Sequence, residues 1–441
     1  MMFLLGVVLM VIGVAISIAL HELGHMVPAK KFGVKVTQYM IGFGPTVFSR
    51  RRGETEYGVK AIPLGGYIRM VGMFPPAPGE DPNRVRASST GRWSQLVDQA
   101  RDAAFEEIEP HEAHRVFYKL PTHRKVIIMF GGPFMNLVIA AVLLIIIACG
   151  IGLPTQVTAD VGSVMPCLAS SSGSAPKTCP TPSPAAAAGL RTGDRIESVD
   201  GVKVSTTTGA TKVIRAHPQQ QIPIVVLRDG VRRTLHITPA LRTLPKTDAQ
   251  GNPVLNWSGR TETIRGGLIG AGIGGTSVVR RQPLTDAPSI VGDGVRQTAS
   301  VFVKIPQKMV GVFNAAFGSG QRDPNGPMSV VGVGRVAGDV TESHQVSIVD
   351  KVELLLGLLA SLNLALFVFN LVPLLPLDGG HIAGALWEAV KRPIARARGL
   401  KGPIYVDVAK ALPVAYGVSM VLLVMFGLLF YADIVNPVKL N

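Results

Sequence analysis

Four stretches of this sequence are long and apolar enough to cross a membrane, and that limits the fold more than anything else in it. They run from Phe3 to Val27, Val126 to Leu153, Leu354 to Leu377 and Ala411 to Tyr431. Each suffices to cross a hydrocarbon core about 30 Å thick. Lipid offers no partner for free backbone groups, so such runs are predicted to be helices. Composition agrees: 47% of the 441 residues are hydrophobic and only 17% are charged. A cleaved signal peptide is the rival reading of the first run. It lacks a basic leading segment, and cleavage would cut through the polar motif at its inner end.

The net charge of +15 does not point to nucleic acid. The basic residues are spread along the chain, with no basic helix carrying interleaved aromatics, and many flank the apolar runs. Lys30, Lys31, Lys35, Arg50, Arg51 and Arg52 follow the first run; Arg115, Lys119, Arg124 and Lys125 precede the second. Lys391, Arg392, Arg396, Arg398, Lys401 and Lys410 lie between the third and fourth, whereas Pro154 to Gly173 has no Lys or Arg. An excess of Lys and Arg marks the cytosolic side. The expected order is a transmembrane helix over 1–27, a cytosolic loop over 28–124 and a second span over 125–153. Exported segments follow over 154–245 and 246–353. A third span over 354–380, a cytosolic loop over 381–410 and a fourth span over 411–432 complete it. Among the three cysteines, Cys149 sits in an apolar run. Cys167 and Cys179 sit in a Ser/Pro/Ala-rich stretch that, if exported, permits either a disulfide or two free thiols.

The first span ends in His21-Glu22-Leu23-Gly24-His25. A helix puts residues i and i+4 on one face, so His21 and His25 can share one metal. Glu22 then lies beside the metal, where a carboxylate can take a proton from water. The bland alternative is a helix end with satisfied polar residues. The third span ends in Asn370-Leu-Val-Pro373-Leu-Leu-Pro376-Leu-Asp378-Gly379-Gly380-His381. The prolines remove backbone donors and bend the helix, and Gly379 and Gly380 are expected to allow an abrupt turn. The topology places Asp378 at the depth of His21 and His25. A catalytic zinc site commonly has three protein ligands, and Asp378 supplies the carboxylate the first motif lacks. His381 is a rival third ligand; Asp378 is favoured because the glycine pair leads the chain away before His381.

These elements, with Gly132-Pro133-Phe-Met-Asn136 in the second span and the segment Gly42-Phe-Gly44-Pro45 to Gly65-Gly66-Tyr67, resemble the site-2 proteases, zinc intramembrane metalloproteases of the M50 type. The likeness covers nearly the whole chain and is strongest to actinobacterial enzymes with one PDZ domain that cut anti-sigma factors. One departure is visible: Pro376 falls one place later than in the family's pattern, while the Asn370-to-Asp378 spacing is kept. The resemblance implies Zn2+ held by His21, His25 and Asp378, with Glu22 as general base and later proton donor to the leaving amine. It implies that Asn370 hydrogen-bonds the unwound substrate backbone or the developing oxyanion. It places the protein in the bacterial inner membrane, with its N-terminus and PDZ domain outside and its active site toward the cytosol.

Within the first cytosolic loop, Val34 to Tyr39 and Tyr57 to Ile62 alternate apolar and polar around a charged turn at Arg50 to Glu54. Two strands are expected. The family has a membrane-associated β-sheet here that is thought to hold substrate extended as an added strand; an ordinary hairpin at the cytosolic mouth is the alternative. Pro75 to Thr90 reads as a mobile loop and Gln95 to His114 as an acidic amphipathic helix. His111, Glu112 and His114 read as a solvated face rather than a metal site. Ala188 to Val204 resembles a PDZ domain of the circularly permuted bacterial type. A strand is expected over Arg195–Val199, a tight hairpin at Asp200-Gly201, and strands Ile222–Leu227 and Arg233–Ile237 joined at Asp229-Gly230. A loop over 165–185 is inserted before this core. Such a domain could capture a fresh C-terminus or act as a steric gate, the latter slightly preferred. Residues Ile290 to Phe317 carry apolar positions at helical spacing and are expected at the membrane surface.

The expected protein is therefore a four-span α-helical membrane protein with a membrane-associated β-sheet and an exported PDZ domain. Its expected activity is zinc-dependent cleavage of single-pass membrane substrates, such as anti-sigma factors or remnant signal peptides, after a site-1 protease has trimmed them. Two alternatives differ in class: a membrane-anchored metalloprotease of soluble proteins, and a non-catalytic PDZ scaffold.

Overall fold

In the computed structural model the chain divides into two compact units, Met1–Ile147 with Pro283–Asn441, and Ala148–Gln282. The structure describes residues 1–73, 75, 112, 114–168, 181–247, 261–318, 326–344, 346–399, 405–406 and 411–437, without the side chains of 63 and 64. The expected mobile loop after Pro75, nearly all of the 95–114 helix and most of the 165–185 insertion lie outside the described residues.

The first unit opens with helix α1 (Met2–Lys31), followed by strands β1 (Val36–Arg52) and β2 (Thr55–Met70). The turn falls at Gly53-Glu54, inside the charged segment the sequence marks. Both strands run further than expected, because the hairpin folds back on itself. Residues 38–41 of β1 pair with 66–69 on one side and with 56–59 on the other. Among the described strands the outermost segments of this sheet are thus 46–52 and 66–70. Met26 and Ala29 of α1, Val36 and Met70 of the strands, and Ile128 and Met129 of the next helix form one buried cluster that seats the hairpin. Glu112 bridges Lys35 and Arg115, and Arg115 also binds Glu54 at 2.8 Å. Glu112 therefore ties the chain to the hairpin. Helix α2 (Thr122–Ile145) continues through a wider turn to Ile151.

The second unit contains β3 (Leu153–Gln156), β4 (Asp160–Val164), α3 (Pro184–Ala187), β5 (Arg195–Val199), β6 (Val202–Lys203) and α4 (Thr207–Ala216). It continues with β7 (Ile222–Arg228), β8 (Val231–Ile237), β9 (Ala240–Pro245), β10 (Thr263–Leu268), β11 (Ala271–Gly274) and β12 (Ser277–Arg280). The main sheet has the order β11-β4-β5-β7-β8. Asp200-Gly201 and Asp229-Gly230 close hairpins with all four residues at positive φ, the conformation two-residue hairpins of this kind need. Val161, Ile196, Val199, Ile214, Ile224, Val226 and Ile237 fill its core. Cys167 is disulfide-bonded; Cys179 lies outside the described residues, and Cys149 is free.

The first unit resumes with α5 (Ala287–Val303) and α6 (Ile305–Phe317), a helical stretch broken at Lys304, then α7 (Val330–Glu342), α8 (Ile348–Asn370), α9 (Asp378–Ala397) and α10 (Leu412–Val435). Among the described residues four helices are long and apolar enough to cross a membrane: α1, α2 with its continuation, α8 and α10. The third ends at Asn370, ten residues before the end of the span expected over 354–380. The segment expected to form a cytosolic loop after residue 380 lies largely within α9. Gly379 and Gly380 also differ from expectation. Both sit in the first turn of α9 without positive φ. What requires glycine there is proximity: a Cβ would fall 2.2 Å from the Val372 carbonyl oxygen and 2.6 Å from the Leu375 nitrogen, respectively.

Candidate metal centre

Helix α1 delivers Ser17, His21 and His25 on one face, four residues apart. It can approach α2 closely because glycine faces glycine. A Cβ on Gly131 would lie 2.0 Å from the Gly24 carbonyl oxygen, and one on Gly24 would lie 2.3 Å from that of Gly131. Small residues at helix contacts in a membrane allow this backbone approach. Gly132 has a different task. A Cβ there would fall 2.1 Å from His25 Nε2, so the missing side chain leaves room on the ligand face of the imidazole.

Asp378, the first residue of α9, completes the group. Its Oδ2 lies 3.4 Å from His21 Nε2 and 3.3 Å from His25 Nε2, and the two Nε2 atoms are 3.3 Å apart. Tetrahedral zinc with ligands at about 2.0–2.1 Å has ligand-to-ligand edges of about 3.3–3.4 Å. The triangle therefore has the size of one face of a zinc tetrahedron. Its chemistry agrees. His25 Nδ1 is 2.7 Å from the Ile128 carbonyl oxygen, an acceptor, so Nδ1 carries the proton and Nε2 offers a lone pair. Asp378 Oδ2 is buried with no hydrogen-bond donor among the described residues. Lone pairs packed this closely are stabilised by a cation between them. These three residues form the one such cluster among the described His, Cys, Asp and Glu side chains.

Glu22 is buried beside the triangle, under the second half of β2. A Cβ on Gly66 would lie 3.0 Å from Glu22 Cγ, and the Ile68 backbone hydrogen-bonds the carboxyl group. Tyr39, on β1, donates its hydroxyl to the Ala19 carbonyl oxygen at 2.7 Å. Burial, and after it the Glu22 carboxylate, pushes its phenol up to about 12, so it remains a donor at neutral pH. His381 is outside the ligand cluster and lines a small cavity with Lys125, Gly384 and Glu388. There Lys125 Nζ donates to both Glu388 oxygens at 3.0 Å. Asn370 ends α8, and its side chain hydrogen-bonds none of the three ligand atoms.

The sequence marked Gly132 and Asn136 as parts of a motif without a role, and gave no sign of the Ile128 carbonyl or of Tyr39 beside the histidines; the Asn136 amide lies 3.0 Å from His21 Nδ1. A signal was present. An asparagine four residues after a glycine pair, in an otherwise apolar span, is costly unless it has work to do.

HExxH histidines and a distant aspartate, gathered among membrane-length helices, define a membrane metalloprotease. The model of peptidase family M50 matches residues 9–414, and the chain belongs to that family. It is similar to zinc metalloprotease Rip1 of Mycobacterium tuberculosis strain H37Rv, at 37% identity over 449 positions covering 100% of both chains. Rip1 of Mycolicibacterium smegmatis is 32% identical, again over 100% of both. Zinc metalloprotease RasP of Bacillus licheniformis is 24% identical over 86% of this chain and 89% of its own. The protein is accordingly a zinc metalloprotease.

Proposed function

We propose that the protein is an intramembrane endopeptidase that cuts single-pass membrane proteins. In this reading His21, His25 and Asp378 hold the zinc, and Glu22 is the general base. A zinc ion there would supply Lewis-acid activation of water and of the scissile carbonyl. Glu22 takes the proton from the attacking water and returns it to the departing nitrogen. The edge formed by residues 66–70 holds the unwound substrate extended beside Glu22 by strand addition, and Asn370 hydrogen-bonds the substrate backbone. The observation that carries the reading is the 3.3–3.4 Å triangle made by two histidines of the apolar helix α1 and the first residue of α9.

The finer assignments belong to the same proposal. The distribution of Lys and Arg supports a cytosolic-side active site and an exported second unit in a bacterial inner membrane. The hairpins and the edge strand β11 support a PDZ-type second unit, and its proposed role is that of a steric gate. Anti-sigma factors trimmed by a site-1 protease are the proposed substrates.

The test uses wild type and Glu22→Gln in reconstituted membranes with a pre-trimmed single-pass substrate. Glu22→Gln should keep its zinc and lose about 10²–10⁴-fold in turnover, the usual worth of a positioned base. Normal turnover by the variant removes Glu22 from the role. Asp378→Ala should lose zinc, whereas His381→Ala should keep it; the reverse makes His381 the third ligand.

A further inference from the structure

Both histidines of α1 turn their Nδ1 atoms toward α2, and the two contacts differ in kind. His25 Nδ1 meets the Ile128 carbonyl oxygen at 2.7 Å, a partner that can only accept. His21 Nδ1 lies 3.0 Å from the side-chain amide of Asn136, a partner that can accept through Oδ1 or donate through Nδ2. Asn136 is 0% exposed. With Nδ2 toward His21, Oδ1 has no hydrogen-bond partner among the described residues.

The two amide orientations have opposite consequences. If Nδ2 donates to Nδ1, the proton of the neutral imidazole sits on Nε2, which then cannot bind a metal. If Oδ1 accepts from Nδ1–H, the lone pair sits on Nε2, aimed at Asp378 and His25. The ends of an amide are nearly the same shape, so the site accommodates either. Metal-bound histidines usually pass their second ring proton to an oxygen acceptor, which fixes ring orientation and raises ligand basicity.

We propose that Asn136 is the positioning residue for His21. Its Oδ1 accepts the His21 Nδ1 proton and directs Nε2 to the zinc, as the Ile128 carbonyl does for His25. One helix then orients both imidazoles: Ile128, Gly132 and Asn136, four residues apart on α2, supply a carbonyl, an open space and an amide. The inference rests on the reading of His21 as a zinc ligand.

The test compares full-length wild type, Asn136→Leu and Asn136→Asp, purified in detergent. Zinc affinity is measured by competition with a chromophoric chelator, and the visible spectrum is recorded after cobalt replaces zinc. Asn136→Leu keeps the branching of the side chain and removes the acceptor; its zinc affinity should fall about 10–100-fold, with an altered cobalt spectrum. Asn136→Asp can present only oxygen to His21 and should bind zinc at least as tightly as wild type, with a wild-type-like spectrum. Because Asn136→Asp cannot donate through nitrogen, it tests the orientation even if Asn136→Leu folds poorly. Wild-type affinity in Asn136→Leu overturns the inference, and so does a loss in Asn136→Asp equal to that in Asn136→Leu. If wild type itself binds no zinc, the metal reading of His21 fails and takes this inference with it.

Discussion

Gly132 shows how much of the site depends on an atom that is not there. Its Cβ would occupy the space 2.1 Å from His25 Nε2. Gly132→Ala should therefore push the imidazole off its lone-pair direction and weaken zinc binding at least tenfold, read by chelator competition, while helix content by circular dichroism stays at the wild-type level. Unchanged affinity would show that α2 can shift to make room. That His21 and His25 share a face was legible in the sequence because the geometry is local: i,i+4 spacing sets it, whatever surrounds them. The approach of Asp378 to the histidines was expected from the direction of the spans, although Asp378 opens α9 rather than closing the third span, which ends at Asn370. Gly132 and Asn136 stood out as motif residues but their roles did not, because those exist only once α1 and α2 are packed at a particular rotation. The glycine pair at 379 and 380 was legible as a constraint but misread in kind, since crowding and unusual φ leave the same mark in a sequence.

Among the elements, α7 turns a segment with no assigned role into a brace. It lies along the N-terminal half of α1: a Cβ on Gly6 would lie 2.4 Å from the Ala337 carbonyl oxygen, Gly338 faces Phe3, and Thr341 Oγ1 donates to the Met2 carbonyl oxygen at 2.9 Å. Its N-terminus is held from α10, where Asp433, buried, accepts from the Ser329 N–H at 2.6 Å. An anion at a helix N-terminus is favourable twice over, through the orphan amide and through the helix dipole. Asp433→Ala should cost about 1–2 kcal/mol, visible as a lower unfolding midpoint in detergent, with Asp433→Asn intermediate. Equal midpoints for all three proteins would show that α7 is held by packing alone. The β1–β2 hairpin was legible as two strands from its alternation, but its folding back was not. That depends on bends near Gly42–Pro45 and at Ile62, which create a second pairing partner for residues 38–41.

For the whole molecule, the two units rest on different physics. The first keeps its polar groups inside an apolar bundle, as where Asn363 Nδ2 donates to Ser17 Oγ at 3.0 Å. The second has a small apolar core tied by ion pairs. Asp194, 1% exposed, receives Arg228 Nε and Nη2 at 2.6 Å each and the Arg191 N–H at 2.8 Å. Burial alone would raise its pKa; the guanidinium and the amide outweigh burial and hold it below the ordinary aspartate value. A lowered folded pKa contributes stability above the unfolded value of about 3.9, and that contribution is lost as pH falls through the folded one. Asp194→Asn should cost about 3 kcal/mol near neutrality and flatten the acid end of the stability profile. Both are checked by unfolding between pH 3 and 7; an unchanged acid profile would exclude the pair as its source. The strands of this unit were legible because Asp-Gly turns and alternation are local signals. His25 and Asp378 make the opposite point, being 3.3 Å apart in space and some 350 positions apart in the chain. The interval between them includes the entire second unit. The entropy of closing a loop rises only with the logarithm of its length. The chain between these two anchors can therefore lengthen, shorten or exchange its cargo at little thermodynamic penalty to the centre, whereas the zinc proposed between them would fasten α1 to α9 like a rivet. Chelation should loosen that seam before it disturbs anything in the interval.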